Sequence, residues 1–256
     1  METPASNADP LQPAVEPAAG SEGADSPEKV VDELLRALMD RDGAKAWPML
    51  SPADQAKVGF PQRLTEDAYA SGWRGFRINS SSTDSVMVTI DQTPKVSDID
   101  GVIAGTATMT VPVTKDGARY FASWSRRTVV QGYPERTPEN DRDTIETVLD
   151  WATARQLCKT APQEHIGGLI GVVGLATALC DATNTGAPPT RAVVLSIGDL
   201  DSLDEPQPVI DGFGASAFTW ARVVALRTPV PMNVVVAPNG SSWTVIALAR
   251  PSLSSP

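Results

Sequence analysis

The sequence predicts an α+β protein of two domains, each with N-terminal helices packed on a curved antiparallel sheet. Two observations predict this class. Apolar residues recur first at helical spacing and then with the period of two typical of strands, and this order of helices and then four strands occurs twice along the chain. Helices followed by a run of antiparallel strands are typical of α+β domains. With 256 residues the chain can form two domains, expected over 26–134 and 139–250.

Both ends of the chain are expected to be disordered. Residues 1–25 are acidic, rich in Pro and Ala, and contain no Lys or Arg. Such a stretch cannot bury enough apolar surface to offset the entropy lost on ordering. Residues 251–256 form a short second tail. A tail like the first often tethers a folded domain, so we expect a leader or anchor to precede it in the natural protein, with an untethered cytoplasmic protein as the alternative.

The first domain is predicted to begin with a helix at Ser26. Ser26 can cap this helix, Pro27 suits its first position, and Glu28 suits its positive end. The sequence SPADQAKVG repeats the Ser-Pro start and predicts a second, short helix. The apolar stripe of the first helix is Val30, Val31, Leu34, Leu35 and Leu38.

Four strands complete the first domain in this prediction. Segments rich in Val, Thr, Ile and aromatic residues predict them: WRGFRIN, DSVMVTID, GTATMTVPVT and ARYFASWSRRTVV. Asp116-Gly117 lies between the last two and is typical of a hairpin turn, because both residue types tolerate positive φ. The Pro-containing segment 132–140 is expected to connect the domains.

The second domain repeats the order. An amphipathic helix is predicted from DRDTIETVLDWATARQLC, and a second, Gly-rich helix from EHIGGLIGVVGLATALCD, which is expected to lie in the core. That stretch is too short and too rich in Gly for a membrane span. Strands are predicted from RAVVLSIGDL, AFTWARVVALR, MNVVVAP and SSWTVIALA, with an acidic loop over 199–211 and a hairpin turn at Asn239-Gly240.

The net charge and the few Cys and His residues argue against several classes of function. A formal charge of −10 disfavours nucleic acid and anionic lipid as partners, since both need clustered Lys and Arg. Cys158, His165 and Cys180 match no zinc spacing, so no metal and no cofactor are expected. Two alternatives stay open for the cysteines: a disulfide that closes a loop of about twenty residues and adds about 3 kcal/mol, or two buried thiols in a cytoplasmic protein.

The order of elements resembles the nuclear-transport-factor-2-like (cystatin-like, SnoaL-like) superfamily. The resemblance is carried by SPEKVVDELLRALMDRDGAKAWPML, by VPVTKDGARYFASW and by VVVAPNGSSWTVIAL. It covers 26–134 and, more loosely, 139–250. It implies two cone-like domains with a cavity between helices and sheet. Aromatic residues expected to line such a cavity are Tyr69, Trp73, Tyr120, Trp124 and Trp220.

No catalytic residue is expected. Enzymes of the superfamily place Asp, Tyr or His in the cone, and Asp67 and Asp91 are further residues of that kind, but nothing in the sequence makes them converge. By resemblance, tandem domains of this type are binding modules of conjugal-transfer and cell-envelope complexes. We therefore expect a non-catalytic extracytoplasmic module that is tethered or secreted, does not itself insert into the membrane, and binds a protein partner or forms a homo-oligomer. The alternative is a small-molecule carrier or an isomerase- or dehydratase-like enzyme that uses one cone.

Overall fold

The structure is a computed structural model that describes residues 22–66, 72–97, 99, 101–184, 191–227 and 230–251. The expectations for most of the N-terminal tail, for nearly all of the C-terminal tail, and for Asp67 and Tyr69 lie outside these residues. The predicted α+β class is confirmed, because two curved sheets with antiparallel long strands each carry their own leading helices. Within the described ranges, no helix combines the length and the apolar character needed to cross a membrane.

The first helix forms as the sequence predicts. α1 spans Pro27–Met39, and the Ser26 side chain accepts the Lys29 backbone N–H at 3.2 Å as its N-cap. Short helices α2 (Gly43–Ala46) and α3 (Pro52–Val58) follow, with 3₁₀ turns over Trp47–Met49 and Pro61–Thr65. The predicted stripe of α1 is fully buried and packs on the first sheet.

The first sheet has one packed face. Its strands are β1 (Trp73–Ser81), β2 (Ser85–Gln92), β5 (Thr106–Asp116), β6 (Arg119–Ala122) and β7 (Thr128–Gln131). All pairs are antiparallel in the order β1–β2–β5–β6, and β7 pairs with the other end of β5. Residues alternate between buried and more accessible along β2 and β5, so the inward face packs on α1.

The second sheet is buried on both faces. Its strands are β8 (Ile170–Gly171), β9 (Val193–Asp199), β10 (Arg222–Arg227), β11 (Met232–Asn239) and β12 (Ser242–Ala249), in the order β8–β12–β11–β10–β9. The four long strands are antiparallel, and the two-residue β8 runs parallel to β12. β11 and β12 have almost no exposed residue, which explains their continuous apolar runs.

Helices and a hairpin cover the two faces of the second sheet. The inner face packs on α4 (Pro138–Gln156) and α5 (Gly174–Asn184). The outer face packs on α6 (Gln207–Phe213), α7 (Ala217–Trp220) and a 3₁₀ turn over Leu200–Ser202. The expected acidic loop over 199–211 is therefore partly helical, and the AFTW sequence forms a helix instead of the start of a strand.

The Gly-rich stretch differs most from its prediction. Residues 164–173 run along β12 with a turn at Ile166-Gly167: the His165 N–H donates to Val245 O at 2.9 Å, and the Val172 N–H donates to Leu248 O at 2.8 Å. Gly171 has φ +79°, and a Cβ there would lie 2.4 Å from Leu248 O, so this close approach needs glycine. The helix begins only at Gly174, and Ile166 and Val173 are exposed instead of buried.

A hairpin that the sequence reading missed joins the two sheets. β3 (Lys95–Ser97) and β4 (Gly101–Ile103) pair with each other and lie against the outer face of the second sheet. Val102 is buried there in one apolar cluster with Phe213 and Trp220. Tyr133 Oη donates to Val102 O at 2.7 Å, and burial raises the pKa of this phenol.

Both predicted hairpin turns form, shifted by one residue. Asp116 pairs with Arg119 and Asn239 pairs with Ser242, so the loops are Gly117-Ala118 and Gly240-Ser241. Gly117 and Gly240 have φ +58° and +68°, which places glycine at the first central position of each turn.

Candidate functional site

The predicted Cys158–Cys180 disulfide is present, with 4.8 Å between the two Cα atoms. Cys158 has φ +56° just after α4, and the chain then doubles back along β12 before α5 begins. This return brings Cys180 of α5 next to the end of α4. The alternative of two buried thiols does not hold, because neither cysteine is free and Cys158 is exposed.

Glu164 has a structural role, because its carboxylate binds two side chains of α4. Trp151 Nε1 donates to Glu164 Oε1 at 2.8 Å, and the Arg155 guanidinium pairs with both carboxylate oxygens. His165 packs edge-on against Phe213, with 5.6 Å between the ring centroids, and its Nε2 is buried without a hydrogen-bond partner. In the described part of the chain no group of three or more His, Cys, Asp or Glu is placed to hold a metal.

A small cavity opens on the packed face of the first sheet, at the end that α1 does not cover. Its volume is about 220 Å³. Trp73 lines it, and the Trp124 ring meets the Trp73 ring edge-on at a centroid distance of 6.3 Å. The structure thus brings two of the predicted aromatic residues together. The lining residues are Trp73, Ile90, Gln92, Ala107, Met109, Arg127, Val129 and Gln131.

Two amides and one guanidinium give this cavity its polar groups. Gln92 Nε2 donates to Gln131 Oε1 at 2.6 Å, and the Ala104 N–H donates to the same oxygen at 3.1 Å. Arg127 stacks on Trp124 with its Cζ 4.2 Å from the ring centroid. The residues lining the cavity supply no carboxylate or imidazole for proton transfer. They suit a small, uncharged, partly apolar molecule.

The other predicted lining residues lie elsewhere. The Trp220 ring is fully buried in the core between the second sheet and its outer helices. Tyr120 is half-buried on β6, where its backbone exchanges two hydrogen bonds with Ala24 and Lys115 lies over its ring. Asp91 is exposed on the outer face of β2. None of these three lines the cavity beside Trp73.

Asp54 is a buried carboxylate with a positioning role. It accepts hydrogen bonds from Ser51 Oγ at 2.7 Å and from both the backbone N–H and the hydroxyl of Ser125. Burial raises the pKa of Asp54, but the hydrogen bonds from Ser125 and Ser51 outweigh it, with a smaller contribution from Lys57, so the pKa is lower than usual. This ionised group fixes the turn that carries Trp124.

A larger groove lies on the outer side of the second sheet, and we call it the acidic groove. Its volume is about 450 Å³. Its floor consists of the buried residues Leu203, Val209, Val235, Ala247 and Leu248. Its rim is exposed and includes Val172, Asp204, Glu205, Pro208 and Arg250.

The fold around the groove sets its rim charges in place. Asp204 and Glu205 follow the buried anchor Leu203, whose N–H donates to Leu200 O at 3.2 Å, and precede α6. Arg250 follows β12, and its carbonyl accepts from Asn233 Nδ2 at 3.2 Å. No ion pair joins these three side chains to one another or to any other residue that the structure describes.

Sequence reasoning missed this groove because its parts come from distant segments. The sequence predicts an acidic loop for the DLDSLDE cluster and a helix for the glycines near Gly171. Leu203 and Val209 are six positions apart, so no helical spacing marks the groove locally.

Comparison with solved structures gives a match at low sequence identity. It is a solved structure described as an "Ntf2 like protein involved in plasmid conjugation", with 11% sequence identity and a TM-score of 0.21, covering 70% of this chain and 75% of that chain. No protein-family model matches the sequence, and the search of curated proteins gives no significant match. Function is therefore inferred from the residues of this chain and their geometry.

Proposed function

We propose that this protein is a non-catalytic module that binds a protein partner outside the cytoplasm, as a component of a cell-envelope or transfer complex. The observation that carries the proposal is the acidic groove, which has a buried aliphatic floor and is open to solvent. Its volume of about 450 Å³ lies in the range of ordinary binding pockets. The inner faces of both sheets are largely filled by their own helices, which leaves this outer groove as the larger concave apolar surface in the described part of the chain.

The arrangement of charge supports binding over catalysis. Acid–base catalysis needs an ionisable group held against the reacting atom in a site that excludes water. In the groove the ionisable groups stand exposed at the rim, while the floor is aliphatic. This is the pattern of an apolar interface core with a polar border.

The disulfide supports the proposed location outside the cytoplasm. A bond between Cys158 and Cys180 persists in oxidising surroundings and is rare in the cytosol. The choice of an envelope or transfer complex rests on the resemblance in the order of elements.

Blocking the groove tests the proposal. Random peptides displayed on phage are selected on the wild-type protein, and bound peptides are then measured against a Pro208→Cys variant carrying a bulky maleimide label. Both native cysteines are in the disulfide, so the label is selective. The same label on Asp116→Cys, the exposed last residue of β5 and outside the groove lining, is the control. We expect only the Pro208→Cys adduct to lose binding of the selected peptides. Equal peptide binding by both adducts would contradict the proposal.

A second candidate function is the binding of a small molecule in the cavity beside Trp73. The paired amides of Gln92 and Gln131 next to an apolar wall favour a small amide or alcohol. Titration of such compounds with tryptophan fluorescence tests this: we expect a saturable change that a Gln131→Leu variant lacks. A response shared by the variant would rule the site out.

The homo-oligomer predicted from the sequence stays a prediction. β9 is an edge strand, and its Val193 and Leu195 are exposed, so a second copy could add there. Sedimentation over a range of protein concentrations, with Leu195→Lys as the comparison, measures whether this edge self-associates.

A further inference from the structure

We infer that the acidic groove binds a peptide segment in which a Lys or Arg stands next to an aliphatic residue. This inference rests on the proposed function and specifies the chemistry of the partner. It follows from the floor, from the two rim carboxylates and from the way the backbone holds them.

The floor selects an aliphatic side chain. Val209, Val235 and Ala247 are at most 3% exposed, and the aliphatic floor has no charged group. Burial of an aliphatic side chain of the partner against this floor is favourable in proportion to the apolar area removed from water.

The rim selects a positive charge. Asp204 and Glu205 stand side by side on one segment of the rim, and one guanidinium, that of Arg250, stands on another, so the rim has a net negative charge. The neighbouring Asp199 differs, because Arg136 and Arg222 lie 3.6 and 3.4 Å from its carboxylate. The two rim carboxylates are thus left for a partner, whereas the charge of Asp199 is neutralised within the fold.

The carboxylates are positioned before the partner binds. Leu200 and Leu203 are buried on the near side of the pair, and the Val209 N–H donates to Pro206 O at 3.0 Å at the start of α6 on the far side. A segment anchored at both ends loses little conformational freedom on binding, which favours recognition of one charged side chain.

The alternatives fit less well. A membrane surface is disfavoured by the net charge of −10, since anionic headgroups would repel the protein. A divalent cation is disfavoured because the structure places no third acidic, His or Cys ligand beside this pair among its described residues.

Peptide selection with charge-reversed variants tests the inference. Peptides enriched on the wild type are expected to contain Lys or Arg within two positions of Val, Leu or Ile. For the best peptide we expect Asp204→Lys with Glu205→Lys to weaken binding by about tenfold or more, which corresponds to about 1.4 kcal/mol. Arg250→Glu is expected to strengthen binding several-fold, and raising the salt concentration to weaken it.

Asp116→Lys with Glu139→Lys changes the net charge equally at exposed sites outside the groove lining and should leave affinity unchanged. Circular dichroism checks that every variant is folded.

The outcomes separate this inference from the proposed function. If the Pro208→Cys adduct abolishes binding while the groove charge variants do not change it, the groove binds a partner. The prediction that this partner carries a basic residue is then wrong. If the control pair weakens binding as much as the groove pair, the effect is one of net charge and the inference is overturned. If the adduct has no effect, or no peptide is enriched, the proposed function falls and the inference with it.

Discussion

The carboxylate of Asp54 accepts a hydrogen bond from the backbone N–H of Ser125 at 2.9 Å, although the two residues are 71 positions apart in the sequence. Ser51, at the cap of α3, donates to the same carboxylate. Asp54 therefore joins a helix of the first half to the turn Trp124–Arg126, and it holds the ring beside the small cavity.

We expect Asp54→Asn to lower the free energy of unfolding by about 2 kcal/mol at pH 7, because three donors of Ser51 and Ser125 lose a charged, buried acceptor. The folded pKa is lower than usual, so the stabilisation is complete above the ordinary carboxyl pKa of about 4 and is lost as the pH falls through the folded pKa. Urea denaturation of wild type and variant from pH 7 to pH 2.5 measures this. Asp91→Asn, on the exposed outer face of β2, is the control and should change the free energy of unfolding at pH 7 by less than about 0.5 kcal/mol.

Loss of the disulfide should destabilise the protein by about 3 kcal/mol, since a bond across a sequence separation of 22 residues restricts the unfolded chain. The comparison is between wild type and the double variant Cys158→Ala, Cys180→Ala, again by urea denaturation. Thiol counting on the native wild type should find no reactive cysteine. Two reactive thiols in protein purified without reductant would contradict both the bond and the compartment that it supports.

The hairpin between β3 and β4 provides a matched pair of substitutions. Val102→Ala removes buried contacts in the cluster on the outer face of the second sheet and should cost about 2 kcal/mol. Ile99→Ala, in the same hairpin, removes a side chain that is 89% exposed and should cost less than about 0.5 kcal/mol. Equal effects in thermal unfolding would mean that the hairpin does not pack on the second sheet.

The network of Glu164, Arg155 and Trp151 should behave as a coupled unit. Glu164→Gln is expected to cost about 2 kcal/mol, because the mostly buried Arg155 guanidinium loses its partner. In a double-mutant cycle with Arg155→Met, the two effects should not add, and the coupling energy should exceed about 0.5 kcal/mol. Simple additivity would show that the pair makes no net interaction in solution.

Local signals in the sequence were reliable where one short segment carried the whole pattern. The Ser26 cap and the five apolar positions of α1 placed a helix correctly, because capping and spacing are decided within a few residues. The alternation in β2 and β5 predicted one buried face for the same reason. The division into two domains stays a prediction, and the hairpin on the second sheet shows that the halves share a buried cluster.

The candidate sites were predicted less well because they depend on contacts between distant segments. Of the tryptophans named by resemblance, Trp73 lines the small cavity and Trp124 contacts its ring, but Trp220 is fully buried elsewhere. Its burial depends on Val102, Tyr133 and Phe213, which lie far apart in the sequence. The acidic groove draws on four separate stretches, so no single stretch could reveal it.

The sequence by itself determined that helices precede the long strands in each half, the Ser26 cap, the glycines of the two hairpin turns and the net negative charge. These depend on backbone preference, side-chain period and charge, which are local or simply additive. Only the tertiary structure decided that residues 164–173 run along β12 instead of forming a helix. Their apolar, Gly-rich sequence is compatible with either state, and the free edge of β12 supplied hydrogen-bond partners that a short, glycine-weakened helix could not match.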